Sequence, residues 1–476
     1  MDGGVSLTSR TTLPAATALG LSFEYLATED QALQDQVIIG SMVDQNGLLL
    51  YPDGQPRFRL IYTNGGSATN HGNSLGPTGR ARIRQFYYNG GSYSGSCAGA
   101  YIASVSYMTT GIYEPYYHIW PGRTQPTNLE SARTGHFIPA DSPLLTYFNF
   151  GGDLYVSNIY HNGGCLAREE IDFPSNTEVL LRYDYPALQM HQKPSCWAYK
   201  GNNQSGRLVV IGSHPEGETA GEGIQLMATI LLYALDGQGA AQIKGTLVNG
   251  QPRLMNKSTQ QNDPAFTKIG DRQYHHFVVQ IPPQTPTLTV TLNGDDAYQF
   301  NLYLRADSCA FTNNADYWLT TAGSDKQLEI VNPTAGAWYI GVECATTVAA
   351  TPQSWGYAYS GQIAVLEGAA YTITAAWPDQ SALTPAGLPL TCRLHPNYPN
   401  PFNTSTTLHY DLPQTGHVRL IVHDQTGRQV AALVDEIQPP GQYALNWEAA
   451  GHSSGIYYLT LQTGEYQQTR KCLLIK

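Results

Sequence analysis

Residues 90–101 read Gly90-Gly91-Ser92-Tyr93-Ser94-Gly95-Ser96-Cys97-Ala98-Gly99-Ala100-Tyr101. A predicted strand precedes this run and a helix follows it, and Gly95–Gly99 has the G-x-C-x-G logic of a nucleophile elbow. A turn this sharp needs small flanking residues and lifts its central side chain above the sheet edge. The Cys97 thiol then stands at a helix N-terminus, where the macrodipole favours thiolate. The backbone N–H of Ala98 is placed to donate to an oxyanion. Downstream, Leu208–Gly212 (LVVIG) reads as a strand running directly into Ser213-His214-Pro215-Glu216. In α/β folds the carboxyl ends of strands carry the working side chains. There His214 takes the thiol proton, Glu216 orients and charge-stabilises the imidazole, and Pro215 stiffens the turn. Upstream, the strand Arg59–Tyr62 ends in Thr63-Asn64-Gly65-Gly66, a Gly-rich turn suited to a second oxyanion donor. Helices are predicted over Gly79–Tyr88 and Gly221–Leu235, the latter with Ile224, Leu226, Met227, Ile230 and Leu231 on its apolar face. Strands alternating with helices predict a flavodoxin-like α/β domain with a mostly parallel sheet over 1–236.

Three blocks stand in order: GGS at Gly65–Ser67, GGSYSGSCAGAY at Gly90–Tyr101 and GSHPE at Gly212–Glu216. Together they resemble the class I glutamine amidotransferase-like superfamily, in its branch similar to the biotin-protein ligase N-terminal domain. The resemblance covers roughly Val5 to Leu235. It implies Cys97 as nucleophile, His214 as base, Glu216 as its partner, and Gly66 with Ala98 as oxyanion donors. The expected activity is that of an exported cysteine-dependent amide hydrolase or amidotransferase acting through a thioester on a small-molecule or peptide amide. No ATP-dependent synthase is fused to receive ammonia, so plain amide hydrolysis fits better than transfer. The alternative is a non-catalytic secreted or surface binding protein with a degenerate fold of this kind. Cys97 is then a buried small hydrophobe and His214-Pro215-Glu216 an ordinary strand-end turn.

Tyr116–Gly122 and Asn158–Gly164 (NIYHNGG) are expected to line the cleft, with His118 and His161 structural rather than part of the triad. No metal-ligand spacing and no phosphate-binding G-x-x-x-x-G-K-[ST] occurs, so neither metal nor cofactor is expected. Such folds open with an apolar strand ending in a turn like Asp2-Gly3-Gly4. Here the sequence starts at that turn, which predicts a first strand and an export signal upstream of Met1.

Of the 476 residues 13% are charged, against about a quarter in an average soluble domain. In their place stand 47 Gly, 29 Pro and 32 Tyr, a balance that excludes a coiled coil and favours strands, turns and export. A formal charge of −11 without a basic block excludes nucleic acid as a partner. No apolar run of about 18 residues exists to span a membrane. Seven cysteines are too few for a disulfide scaffold, and their odd number leaves one unpaired in a monomer.

The texture changes after Gly237. Residues 237–265 read as a linker with an apolar patch near Ile243–Val248, and 266–378 as short alternating strands (HFVVQI, TLTVTL, FNLYLR, WYIGVE, YTITAA) of a β-sandwich. The Leu302–Arg305 strand and the Pro333–Trp338 turn resemble the bacterial pre-peptidase C-terminal domain. Asp295–Asp296 read as a solvated turn, and His275–His276 alternate across a strand and do not share one metal. Cys309 and Cys344 are left open as a disulfide formed after export. A second linker, 379–393, precedes a further small sandwich over 394–476. Its landmarks are Asn397–Asn403 (NYPNPFN), Asp424 with Gly427–Arg428 and Val430, Trp447, Ser454–Tyr457 and Arg470–Lys471. These resemble the type IX secretion system type A sorting domain. The resemblance implies the type IX secretion machinery as partner and a secreted or outer-surface location reached through the periplasm.

Overall fold

The structure, a computed structural model, describes residues 13–22, 47–186, 189–258, 263–353, 356–378, 389 and 391–476. The Asp2–Gly4 turn and most of the 379–393 linker lie outside them. The described chain divides into two units with a boundary at Trp377/Pro378.

The first unit opens its main sheet with β1 (Leu60–Thr63) and continues with α1 (Ala68–Tyr88), β2 (Ser92–Ser96) and α2 (Ala98–Ala103). Four further strands follow: β3 (Ala132–Phe137), β4 (Tyr155–His161), β5 (Thr177–Asp184) and β6 (Pro194–Lys200). β7 (Arg207–Ile211) and α3 (Gly221–Asp236) complete it. The strand order is 1-2-7-6-5-3-4. β1, β2 and β7 pair in parallel, whereas β7-β6, β6-β5, β5-β3 and β3-β4 are all antiparallel. The sheet is therefore mixed and not mostly parallel. A parallel return needs a crossover of a dozen or more residues, usually a helix. α1 provides one between β1 and β2, but among the described residues the connections from β3 to β7 hold turns, 3-10 segments and the short strand Cys165–Ala167, and no α-helix.

The parallel part carries helices on both faces. Leu208 and Val210 of β7 pack on one side with Ile83, Phe86 and Tyr87 of α1. Val209 and Ile211 pack on the other with Leu226, Ile230 and Ala234 of α3. A strand covered on both faces must be apolar throughout, which is why LVVI does not alternate. α1 starts earlier than its apolar period suggested. Ser67 caps it by accepting from Asn70 N at 3.3 Å, and Gly76 (φ 60°) and Pro77 kink it midway. Only the part beyond the kink was readable as one helix.

The rest of the first unit is a sandwich. One sheet runs (Ile243–Thr246)-(Tyr274–Ile281)-(Gly336–Cys344)-(Phe300–Ala306)-(Tyr317–Leu319), and the other (Arg253–Met255)-(Tyr371–Ala376)-(Thr287–Gly294)-(Lys326–Val331). Strands Ile243–Thr246 and Arg253–Met255 fall inside 237–265, so that stretch is an edge of the sandwich and not a linker. Leu48 is buried in the sandwich core, while Leu49 and Leu50 belong to the core beside α1. A buried polar cluster ties the halves together. Asp53 accepts from Lys244 Nζ at 2.5 Å and from Gln273 Nε2 at 2.7 Å, with His275 Nε2 3.5 Å from the same oxygen. The structure holds the seven cysteines, Cys309 and Cys344 included, as free thiols.

The second unit pairs a three-stranded sheet (Arg393–Leu394, Ser405–Leu412, Gly441–Glu448) with a four-stranded one (Gln429–Gln438, Gly416–Asp424, Gly455–Thr463, Tyr466–Leu474). Trp447, Leu459, Leu420 and Leu408 are buried between them.

Candidate active site

The parallel register brings the three sequence blocks to one sheet edge. Thr63 is level with Gly95, Gly95 with Val210, and Ser96 with Ile211. The turns leaving β1, β2 and β7 therefore start side by side. Cys97 N donates to Ile211 O at 2.9 Å, extending the β2-β7 ladder by one bond before the chain turns into α2.

Cys97 itself has φ 48° and ψ −101°, a strained conformation that non-glycine residues seldom adopt. Its flanking glycines are required by space. A Cβ on Gly95 would lie 2.7 Å from the Gly99 backbone, and one on Gly99 would lie 2.1 Å from Thr63 O. α2 can leave the sheet at this angle only because both positions lack a side chain. Ala98 is buried and is the first residue of α2, so its N–H has no acceptor within the helix. Gly66 lies on the cleft wall with φ 140°, which the absence of a Cβ permits.

After β7 the chain makes the short 3-10 turn Pro215–Gly217, which folds Glu216 back onto His214. Glu216 Oε1 accepts from His214 Nδ1 at 2.9 Å, and both side chains are fully buried. His214 Nε2 donates to the backbone oxygen of Asn162 at 3.3 Å, and Cys97 Sγ lies 3.7 Å from that same oxygen. Nδ1 faces a carboxylate and Nε2 the Asn162 carbonyl beside the Cys97 side chain, an arrangement that an imidazolium paired with a thiolate satisfies. Burial alone would lower the His214 pKa. Hydrogen bonds with the Cys97 and Glu216 side chains, and their charges, outweigh that and raise it to about 11. Glu216 Oε2 is buried without a partner, so the carboxylate charge is directed at the imidazole and at Gly65 N, 3.4 Å from Oε1.

The structure thus brings Cys97, His214 and Glu216 together, with Gly66 lining the same cleft and Ala98 opening the helix that follows the thiol. A cleft of about 440 Å³ opens over Cys97, lined by Gly66, Tyr101, Tyr107, Tyr116, Asn162 and Gly163 among others. From the stretches read as cleft-lining, Asn162, Gly163 and Tyr116 are on its wall. His118 binds Tyr113 O at 2.9 Å. His161 is buried between Thr127 Oγ1 (2.7 Å) and Ser213 Oγ (2.9 Å), and burial lowers its pKa to about 4.

The sequence placed 158–164 at the cleft but did not show that the Asn162 backbone oxygen meets Cys97 and His214, or that the Tyr101 hydroxyl fastens this strap. The sheet curls until β4, last in its order, returns to the end of β7, and His214 N donates to Tyr160 O at 2.8 Å. The glycines allow this approach, since a Cβ on Gly164 would lie 1.9 Å from Gly212 O. Tyr101 is four residues, or one helical turn, beyond Cys97, and its hydroxyl donates to Gly164 O at 3.1 Å. That i+4 spacing was the one available signal. Among the described residues no group of His, Cys, Asp and Glu could hold a metal ion, and no helix is long and apolar enough to cross a membrane.

Residues 397–476 match the secretion system C-terminal sorting domain. This tail marks the chain for the type IX secretion machinery and indicates a secreted or cell-surface protein. Among solved structures, the chain is similar to PorZ, a surface component of the type-IX secretion system of Porphyromonas gingivalis. Identity is 15% and the TM-score 0.14, over 22% of this chain and 14% of PorZ. The pre-peptidase C-terminal domain of a Bacillus anthracis collagenase aligns at 8% identity and TM-score 0.16, over 28% of this chain and 95% of that domain. The Bacillus licheniformis lipase BlEst2 in its propeptide form aligns at 11% identity and TM-score 0.15, over 51% of this chain and 43% of the lipase. This chain thus spans less than half the length of PorZ and of the lipase. No curated protein matches it.

Proposed function

We propose that this is an exported cysteine-dependent amide hydrolase with an α/β domain of the class I glutamine amidotransferase-like kind. Its sandwich is then a pre-peptidase C-terminal-like domain, and its last 80 or so residues a type A sorting domain. The observation that carries the reading is the convergence of Cys97 Sγ and His214 Nε2 on one carbonyl oxygen, with Glu216 bonded behind the imidazole. The Cys97 thiolate attacks the amide carbon, and the carbonyl electrons move to oxygen, where the N–H groups of Ala98 and Gly66 stabilise the charge. As the intermediate collapses, the C–N bond breaks and the amine leaves with the proton from the His214 imidazolium. The acyl group remains as a thioester on Cys97. Neutral His214 then takes a proton from water, hydroxide adds to the thioester, and the carboxylic acid departs as the thiolate is restored. Glu216 holds the ring orientation throughout and offsets its positive charge.

The non-catalytic reading has one observation on its side: Cys97 is only 3% exposed. Iodoacetamide alkylation of the full chain separates the two. The enzyme reading expects Cys97 to be alkylated at least about tenfold faster than Cys196, with the advantage abolished by His214→Ala. Alkylation of Cys97 no faster than that of Cys196 refutes it.

A further inference from the structure

Among the described residues, the cleft over Cys97 differs from a site for a free amino acid in carrying no counter-charge. Its wall is made of Gly66, Ala68, Tyr101, Tyr107, Tyr116 and Pro126, with Ser67 and the Asn162–Gly163 backbone completing it. None of these residues is a lysine, arginine, aspartate or glutamate. Burial raises the pKa of Tyr101 and Tyr116 well above that of an ordinary phenol, so both are neutral. The charged side chains of the loop from 104 to 123 are committed elsewhere. Arg123 donates to Met108 O, Gly111 O and Asp172, and Glu114 pairs with Arg80. Glu130, the acid nearest Pro126 in sequence, is exposed and lies off the wall. Among the described residues the carboxylate at the site is that of Glu216, which sits behind the imidazole and is sealed from the cleft.

The remaining wall is aromatic and ordered. Tyr107, Tyr113 and Tyr116 form an edge-to-face cluster with centroids 5.1 Å (Tyr107–Tyr113) and 4.9 Å (Tyr113–Tyr116) apart. Thr69 Oγ1, 3.2 Å from Tyr113 Oη, fastens the cluster to the first turn of α1. Tyr101 spends its hydroxyl on Gly164 O and leaves its ring to the cleft. An apolar or aromatic group gains contact area here, whereas an α-ammonium meets no carboxylate among the described residues and finds only the weak attraction of the tyrosine ring faces.

Resting on the thiol chemistry proposed above, we infer that the substrate is an amide whose acyl part is neutral, apolar or aromatic, with its α-nitrogen already acylated. This describes a residue within a polypeptide or an N-capped amino-acid amide, and excludes free glutamine. Gly66–Ala68 at the start of α1 suit the oxyanion or a peptide carbonyl and offer nothing to a cation.

The test compares alkylating probes on the full chain, with the rate of Cys97 modification read by mass spectrometry. N-acetyl-phenylalanyl chloromethyl ketone is compared with unblocked phenylalanyl chloromethyl ketone and with the zwitterionic chloroketone analogue of glutamine. Iodoacetamide serves as reference for thiol reactivity. The expected result is that the blocked aromatic probe reacts at least about tenfold faster than either ammonium-bearing one. In Tyr107→Ala the ratio of the blocked probe to iodoacetamide is expected to fall severalfold. Equal or faster reaction of the glutamine analogue overturns the substrate class while leaving the thiol chemistry standing, and so does an unchanged ratio in Tyr107→Ala. Iodoacetamide alkylation of wild-type Cys97 no faster than that of Cys196 overturns the hydrolase reading and this inference with it.

Discussion

Replacing Gly65 by alanine adds one methyl group at the back of the His214 imidazole. Built on the existing backbone, that Cβ falls 2.3 Å from His214 Cε1 and 2.7 Å from Nδ1, but 3.4 Å from Glu216 Oε1. The glycine is not in the left-handed region, so alanine carries no backbone strain of its own. The only group obliged to move is the ring, by about 1 Å to regain ordinary contact. The Glu216 bond (2.9 Å) and the Asn162 bond (3.3 Å) limit where it can go. A misplacement of about 1 Å at a reacting group costs about 10²-fold in rate, and overpacking of this kind destabilises a fold by about 1–3 kcal/mol. Gly65→Ala is therefore expected to lower iodoacetamide alkylation of Cys97 at neutral pH about 100-fold while the chain stays folded. The assay pairs alkylation kinetics with urea unfolding of the same preparation. A folded variant that alkylates within about twofold of wild type would show that the His214 position does not govern the thiol, and the proposed mechanism would fall.

Two further outcomes test the electrostatics. His214 is raised from 6.5 to about 11 in the folded chain, so the stability it contributes is complete below 6.5 and lost as pH rises through 11. Glu216→Gln removes one of the partners that raise it. The stability gap between wild type and variant, from urea unfolding, is then expected to be widest near pH 6 and to narrow by about pH 10. At the junction with the sandwich, Lys244→Met leaves the Asp53 carboxylate buried without its cation and is expected to destabilise the first unit by about 3–5 kcal/mol. The double variant Asp53→Asn, Lys244→Met is expected to recover part of that loss, measured by the same unfolding curves.

Much of the site was legible because its chemistry is local. Gly95 and Gly99 bracket Cys97 since the elbow leaves no room for a Cβ at either position. Pro215 sets the short turn that returns Glu216 to its neighbour's ring. The place of the strap on the cleft was legible but its contact with Cys97 and His214 was not, because Asn162 contributes a backbone oxygen, which any residue type carries. Nor was the role of 243–255 as sandwich edge. Its strands are three and four residues long, and their pairing with Tyr274–Ile281 and Tyr371–Ala376 is decided by partners far along the chain.

The sequence by itself determined that β1, β2 and β7 end in a glycine turn, a thiol elbow and a histidine-acid turn. It also determined that the last part of the chain is a secretion address. Those features depend on residue type at short spacing, where steric fit and local hydrogen bonding leave few alternatives. Tertiary structure decided the rest. Among the described residues the antiparallel half of the sheet has no crossover helices to announce it, and its curl, which brings the Asn162 backbone oxygen to Cys97, comes from the packing of strands distant in sequence. The joining of the mixed sheet with its helices to the sandwich through Leu48 and the Asp53–Lys244 pair was hidden for the same reason. Each half of that contact is unremarkable until burial removes the water that would otherwise solvate the charges.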